Sequence, residues 1–193
     1  MDQAPILTIT LNPALDISTS AARVVPDVKL RCEAPSFDPG GGGINVSRAI
    51  RNMGGHSTAL VALGGTTGQR MAAMLEATGI PVLSLPAPGE TRQSLTADDR
   101  ATRQQYRFVM PGPEWSADDV ARALELATEM APGDGLVVLS GSNPPGVPAS
   151  FGAMLAGRLQ GQGTRLIVDT SGEALATVAA ARDRRVEILR MDD

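Results

Sequence analysis

Short apolar runs recur along this chain, and stretches with helical spacing lie between them. Residues 6–11 form a β-branched run closed by Asn12-Pro13. Further runs of strand length lie at 59–63, 82–85, 136–139, 166–168 and 186–189. Helical spacing predicts a helix over 44–53, stopped by Gly54-Gly55 in the position of a C-terminal cap, and another over 67–78 with Met71, Met74 and Leu75 on its apolar face. Ser116, with Asp119 three residues on, reads as a variant capping box opening a helix whose inner face is Val120, Leu124 and Ala127. Pro148 suits the opening turn of a further helix, and a last one starts at Glu173. Continuous apolar strands alternating with helices imply right-handed crossovers and a mostly parallel sheet covered on both faces.

Two regions break this alternation. Residues 21–37 are extended, broken by Pro26 and Pro35, and lack helical period, so one or two edge strands are expected there. Residues 92–97 and 105–110, separated by the polar stretch 98–102, read as a hairpin. Together they predict a small antiparallel sheet beside the main one. The chain stops just after its last strand. Because ligands of open α/β sheets bind beyond the carboxyl ends of the strands, residues 1–193 are expected to be an incomplete domain whose continuation belongs to the binding crevice.

The 193 residues fit one domain with an excursion, and 42% hydrophobic with 20% charged residues fits a globular protein. No apolar run reaches the roughly 20 residues of a membrane span, so no membrane association is expected. The start lacks a basic segment followed by an apolar one, so a cytoplasmic location is expected. A net charge of −4 and 3% aromatic residues argue against a nucleic-acid partner, and the Arg182-Asp183-Arg184-Arg185 cluster reads as a solvated helix end. The lone Cys32 excludes an internal disulfide and reads as a buried or half-buried small residue; the sole histidine, His56, reads as a surface or edge residue.

The most informative chemistry is Gly40-Gly41-Gly42-Gly43 running into a helical pattern that opens with Asn45. Glycine lets backbone approach a ligand closely, and the first amides of a helix have no intrahelical acceptor, so the junction favours an anion or a hydroxyl-rich ligand. A tight strand-to-helix connection with a purely conformational need for glycine is the alternative. Neither the dinucleotide fingerprint nor the P-loop fits, because Asn45 stands where a glycine is needed and no Gly-Lys-Ser/Thr ending follows.

Several segments then carry a resemblance: Leu11 to Asp16, Lys29 to Cys32, Gly40 to Asn45, Thr91-Arg92-Gln93, Gln105 to Gly112, Ser140-Gly141-Ser142 with Pro144-Pro145-Gly146, and Ile167 to Leu175. In this order and spacing the chain resembles the PfkB, or ribokinase-like, sugar kinases, and within them the bacterial 6-phosphofructokinases. The resemblance implies a ribokinase-like α/β domain with a β lid over about 17–37 and 91–111, and dimerisation through that lid. It also implies phosphoryl transfer from ATP, with Mg2+, to a sugar phosphate: fructose 6-phosphate to fructose 1,6-bisphosphate in glycolysis. The alternatives are fructose 1-phosphate or tagatose 6-phosphate as substrate, or a non-catalytic fragment that binds sugar phosphate or pairs with an intact subunit.

By the same resemblance, Asp16, Gly40, Gly41 and Asn45 contact sugar hydroxyls, and Arg92 clamps the substrate phosphate, a task that suits a guanidinium. Ser142 is a loop position near the substrate, Lys29 and Arg31 reach the neighbouring subunit's site, and Asp169 helps to organise magnesium. The family's Lys-Pro-Asn segment is replaced by Arg190-Met191-Asp192-Asp193. Its Gly-Ala-Gly-Asp motif, which supplies the anion hole and the catalytic base, has no counterpart. No catalytic residue is therefore assigned, and the chain as it stands is expected to be inactive.

Overall fold

In the computed structural model, residues 3–181 and 186–191 are described. They run β1 (Ile6–Thr10), β2 (Ala14–Ala21), β3 (Ser36–Gly40), α1 (Gly42–Asn52), β4 (Thr58–Leu63), α2 (Gly65–Glu76), β5 (Val82–Pro86), β6 (Arg92–Asp99), β7 (Gln104–Val109), α3 (Ala117–Glu129), β8 (Leu136–Ser140), α4 (Phe151–Arg158), β9 (Arg165–Thr170), α5 (Gly172–Ala180) and β10 (Ile188–Met191). The cluster at 182–185 lies outside the described residues.

The main sheet has the order β10-β9-β8-β1-β4-β5, and every pairing in it is parallel. From β1 the chain moves outward to β4 and β5, then returns to the other side of β1 with β8. Strand order therefore reverses at the carboxyl ends of β1 and β8, where an open α/β sheet forms its crevice. Alternation along the strands feeds two cores. Leu7, Ile9, Leu60, Val137 and Leu166 meet Leu124, Phe151 and Leu155 on one face. Ala59, Val61 and Leu63 meet Ile44, Met71 and Leu75 on the other.

Local signals set the helix ends. Ser116 and Asp119 form the reciprocal capping box at α3. At the end of α1 the Gly54 amide donates to Arg51 O and the Gly55 amide to Ile50 O, both 2.9 Å, which is the Schellman pattern. The helix after Pro148 starts later than its proline suggests. Phe151 N–H bonds Pro148 O in a separate turn, and α4 begins at Phe151. No described helix is long and apolar enough to cross a membrane.

The second sheet has the order β3-β2-β6-β7 and is mixed. The β6–β7 hairpin is antiparallel as the sequence predicts, but β2 and β6 pair in parallel over eight positions, Ala14↔Arg92 to Ala21↔Asp99. The expected strands of region 21–37 fall at its margins. β2 precedes it, β3 closes it, and between them only the isolated Ala21↔Cys32 bridge is strand-like. Cys32 is exposed, not buried, because this connection has no layer above it. Lys29 and Arg31 likewise lie exposed in irregular chain and not on an edge strand.

Asp99, at the end of β6, is 1% exposed. Its carboxylate accepts from Val24 N–H (3.1 Å), Ala101 N–H (2.9 Å) and Thr102 N–H (3.1 Å), joining the hairpin turn to the β2–β3 connection. The Val24 bond, followed by those of Thr102 and Ala101, outweighs burial and holds the carboxyl below its usual range. A lowered native pKa stabilises the fold above the unfolded value of about 4 and is lost as pH falls through the native one. Asp99→Asn should lower the neutral-pH melting temperature by several degrees and flatten the acid limb of the stability curve, measured by circular dichroism melts across pH.

Candidate functional site

The glycine run sits where three elements converge. A Cβ on Gly40 would lie 2.1 Å from Asp16 Oδ2, one on Gly42 would lie 2.3 Å from Ser140 Oγ, and one on Gly43 would lie 2.6 Å from Thr10 Oγ1. The start of α1 thus lies against β1 and β8 at a distance that excludes side chains, and the end of β3 lies against the Asp16 carboxylate of β2. Gly41, the N-cap at φ 146°, offers no side-chain acceptor, and Thr10 Oγ1 on β1 takes the Ile44 amide instead, at 3.1 Å. The helix opens at Gly42, two residues before the predicted start at residue 44. The Asn45 amide is already bonded to Gly41 O (2.9 Å), and its exposed side chain accepts from Arg48 Nη1 (3.4 Å).

Charges gather on the same face of the second sheet. Asp16 on β2 stands directly across from Asp38 on β3, a pairing that repels unless it is neutralised. Arg48 on α1 bonds both Asp38 oxygens, at 2.8 and 2.9 Å. Burial is the main reason that the Asp16 carboxyl sits above its usual range. The nearby Arg92 pulls it down, Asp38 pushes it up, and Arg107 and Arg48 add smaller downward pulls. Burial likewise lowers Arg92, against the opposing pull of Asp16.

Arg92 links this cluster to an open cavity of about 560 Å3 at the carboxyl ends of β1 and β8, of a size that suits a small ligand. Its lining includes Asn12, Arg92, Met110, Gly112, Ser142 and Pro144. The Arg92 guanidinium donates to Asn12 O through Nε (3.3 Å) and Nη2 (3.2 Å), and to Met110 O through Nη1 (3.3 Å). These partners are uncharged carbonyls, so the positive charge stays available to an anion. Another cavity, of about 320 Å3 beside Pro5, His56 and Pro81, lies at the amino ends of the strands, away from this charge cluster.

Of the expected site residues, Arg92 and Ser142 share the cavity, while Asp16, Gly40, Gly41 and Asn45 form the adjoining cluster. Asp169, at the end of β9, accepts from Ser140 Oγ (2.7 Å) and from Arg190 Nη1 (3.1 Å) on the same oxygen. Lys29 and Arg31 contribute nothing to the cavity lining. Among the described residues no group of three or more His, Cys, Asp or Glu could hold a metal ion.

Sequence reasoning missed Asn12, Asp38, Arg48 and Thr10. Asn12 donates to Ser142 Oγ (3.1 Å), and its buried Oδ1 has no protein partner. Its signal was its place, the second residue beyond the switch-point strand. The Asp38–Arg48 pair and the Thr10 cap join residues on different elements, and no local pattern marks them.

Comparison with known proteins identifies the family and the fold. Residues 7–190 fit the pfkB family carbohydrate kinase model. The chain is 44% identical over 175 residues to the ATP-dependent 6-phosphofructokinase isozyme 2 of Mycobacterium tuberculosis, covering 91% of this chain and 52% of that protein. It is 45% identical to the isozyme 2 of Escherichia coli K12, covering 91% and 56%. The chain therefore spans about half the length of these curated relatives. The crystal structure of Escherichia coli phosphofructokinase-2 in complex with fructose-6-phosphate superposes with a TM-score of 0.88 at 42% identity, covering 97% of this chain and 61% of that one. The fold is ribokinase-like, and the chain belongs to the pfkB family of carbohydrate kinases.

Proposed function

We propose that this chain carries the sugar-phosphate site of an ATP-dependent kinase that converts fructose 6-phosphate to fructose 1,6-bisphosphate in cytoplasmic glycolysis. The observation that carries this reading is the Arg92 guanidinium, held by carbonyl oxygens at the mouth of the switch-point cavity beside the acceptor carboxylate of Asp16. A guanidinium in that setting binds phosphate through two parallel N–H groups. Asp16 accepts from sugar hydroxyls, the backbone at Gly40 and Gly41 lets the ring approach, and Asn45 and Ser142 add polar contacts. The similarity to fructose-6-phosphate-binding phosphofructokinase-2 supports that choice of sugar.

ATP is the phosphoryl donor. Phosphoryl transfer depends on positioning and on neutralising charge at the transferring group, and the residues above supply the positioning of the acceptor. For Mg2+ the fit is poor among the described residues. Asp169 already serves Ser140 and Arg190 through one oxygen, and no three-member ligand cluster exists among the described residues, so no step is assigned to the metal. Lid pairing in a homodimer is supported by Val28, Phe108 and Val109, exposed at 59%, 53% and 62%. Such pairing would carry Lys29 and Arg31 toward the partner's site.

Calorimetric titration of the chain with fructose 6-phosphate, using fructose as the control, tests the assignment. Arg92→Ala should weaken fructose 6-phosphate by about 2–3 kcal/mol and leave the weak binding of fructose unchanged. Equal loss for both ligands would remove Arg92 from the phosphate site.

Asp16 gives an opposite signature in stability. Its native pKa is raised, so the fold binds its proton more tightly than the unfolded chain does, and stability falls as pH rises through the interval above about 4. Asp16→Asn should therefore raise the melting temperature at neutral pH and remove that falling slope. It should also weaken fructose 6-phosphate about tenfold as the charge-assisted acceptor is lost. Thermal melts across pH, paired with calorimetry, read both effects.

A further inference from the structure

A second glycine-rich stretch, Gly64-Gly65-Thr66-Thr67-Gly68, forms the N-cap and first residues of α2 directly after β4 and has no part in the site described above. It resembles an anion cradle, because its N-cap, Gly64, has no side chain to satisfy the first amides of α2. The chain fills it from within. Glu90 accepts the Thr66 amide at Oε2 (3.2 Å) and the Thr67 amide at Oε1 (2.5 Å). Thr91 continues the seam: its Oγ1 accepts the Gly64 amide and its own amide donates to Gly64 O, each at 2.9 Å. Gln93 Nε2 then donates to Thr67 Oγ1 at 3.3 Å.

The glycines make this contact possible. Gly65 sits at φ +64°, and a Cβ there would lie 1.8 Å from Glu90 Oε2; one on Gly64 would lie 2.0 Å from Gly89 O. A Cβ at these positions would displace the Glu90 carboxylate or the Gly89 carbonyl from the start of the helix. The seam matters because Arg92 directly follows it. Residues 90, 91 and 93 are pinned to the first turn of α2, and Arg92 between them turns its guanidinium to Asn12 O and Met110 O. Beyond this point β6 is paired only with β2 and β7 of its own small sheet.

We propose that Glu90 is a positioning residue, which caps α2 from a different element and thereby fixes the root of β6 so that Arg92 stays aimed into the phosphate cavity. The proposal rests on the reading of Arg92 as the phosphate clamp. Glu90 itself touches no substrate. Hydrogen bonds from the Thr67 side chain and amide and from the Thr66 amide hold its carboxyl below the usual range, which keeps the cap ionised.

Proton exchange measured by NMR on the 193-residue chain tests this without any ligand. In Glu90→Ala the Thr66 and Thr67 amides should exchange about fivefold faster, the equivalent of one lost cap, and the Arg92 Nε–H should accelerate with them. Glu90→Gln, which keeps one neutral acceptor, should recover part of both. Should Glu90→Ala fail to fold, Glu90→Asp, too short to reach both amides, carries the same comparison. Faster Thr66 and Thr67 amides with an unchanged Arg92 Nε–H would reduce Glu90 to a plain helix cap and overturn the proposal. In calorimetry, Glu90→Ala should weaken fructose 6-phosphate in the wild-type background and cause no further loss in Arg92→Ala. An equal further loss would show that Glu90 acts elsewhere, and would also overturn it. A wild-type chain that binds fructose 6-phosphate no better than Arg92→Ala does would fall on the phosphate assignment alone, since the exchange data read the anchoring directly.

Discussion

Everything at the site depends on one steric constraint: no side chain can stand at residues 42 and 43, and one at residue 40 would displace the Asp16 carboxylate. Ser140 and Thr10 occupy the space where Cβ atoms on Gly42 and Gly43 would lie, so the first turn of α1 rests directly on β8 and β1, while the Asp16 carboxylate of β2 fills the space beside Gly40 at the end of β3. Helix, main sheet and small sheet therefore share one junction at the point where the strand order reverses. A single methyl group at Gly40 would displace the Asp16 carboxylate from its place beside the end of β3. Close-packed interiors relax only partly around such an intrusion, so the geometry of the cavity and the integrity of the junction are one property.

The second theme is charge held under tension. Asp16 and Asp38 face each other across β2 and β3, an arrangement that sheets avoid unless cations intervene. Arg48 neutralises Asp38 through both oxygens, which leaves Asp16 half-buried, raised in pKa and beside Arg92. Arg92 in turn spends its donors on carbonyl oxygens and keeps its charge. Two opposite charges are thus kept close without a direct salt bridge, each ready for a ligand that carries both hydroxyls and an anion. Stability lost to an uncompensated half-buried carboxylate is a common feature of binding sites.

The two glycine-rich turns use the same physics to different ends. Both deliver a helix N-terminus without a side-chain cap. At α1 the cap comes from Thr10 of the central strand, and the neighbouring backbone stays beside the cavity. At α2 the cap is Glu90, a full negative charge, which takes the Thr66 and Thr67 amides and converts the helix end into a fastening. The type of side chain that arrives from elsewhere, hydroxyl or carboxylate, separates an approach for ligand from a structural anchor.

The sequence by itself determined whatever depends on local periodicity and local hydrogen bonding. The apolar runs at β1, β4, β8 and β9, the Ser116–Asp119 box, the Gly54-Gly55 ending of α1 and the β6–β7 hairpin were all legible, because each is specified within a few residues of itself. The family motifs also brought Asp16, Gly40, Gly41, Asn45, Arg92 and Ser142 into view. Only the tertiary structure decided the rest. β2 was hidden because Ser18 and Ser20 leave its alternation mostly polar, and its parallel partner β6 lies on the far side of two main-sheet strands, β4 and β5. The exposure of Cys32 and the irregular path at Lys29 and Arg31 depend on there being no layer over that connection. Asp38–Arg48, Thr10 at α1 and Glu90 at α2 each join residues from separate elements. A chain can encode the donor and the acceptor of such a bond, but which two meet is fixed only when the elements pack.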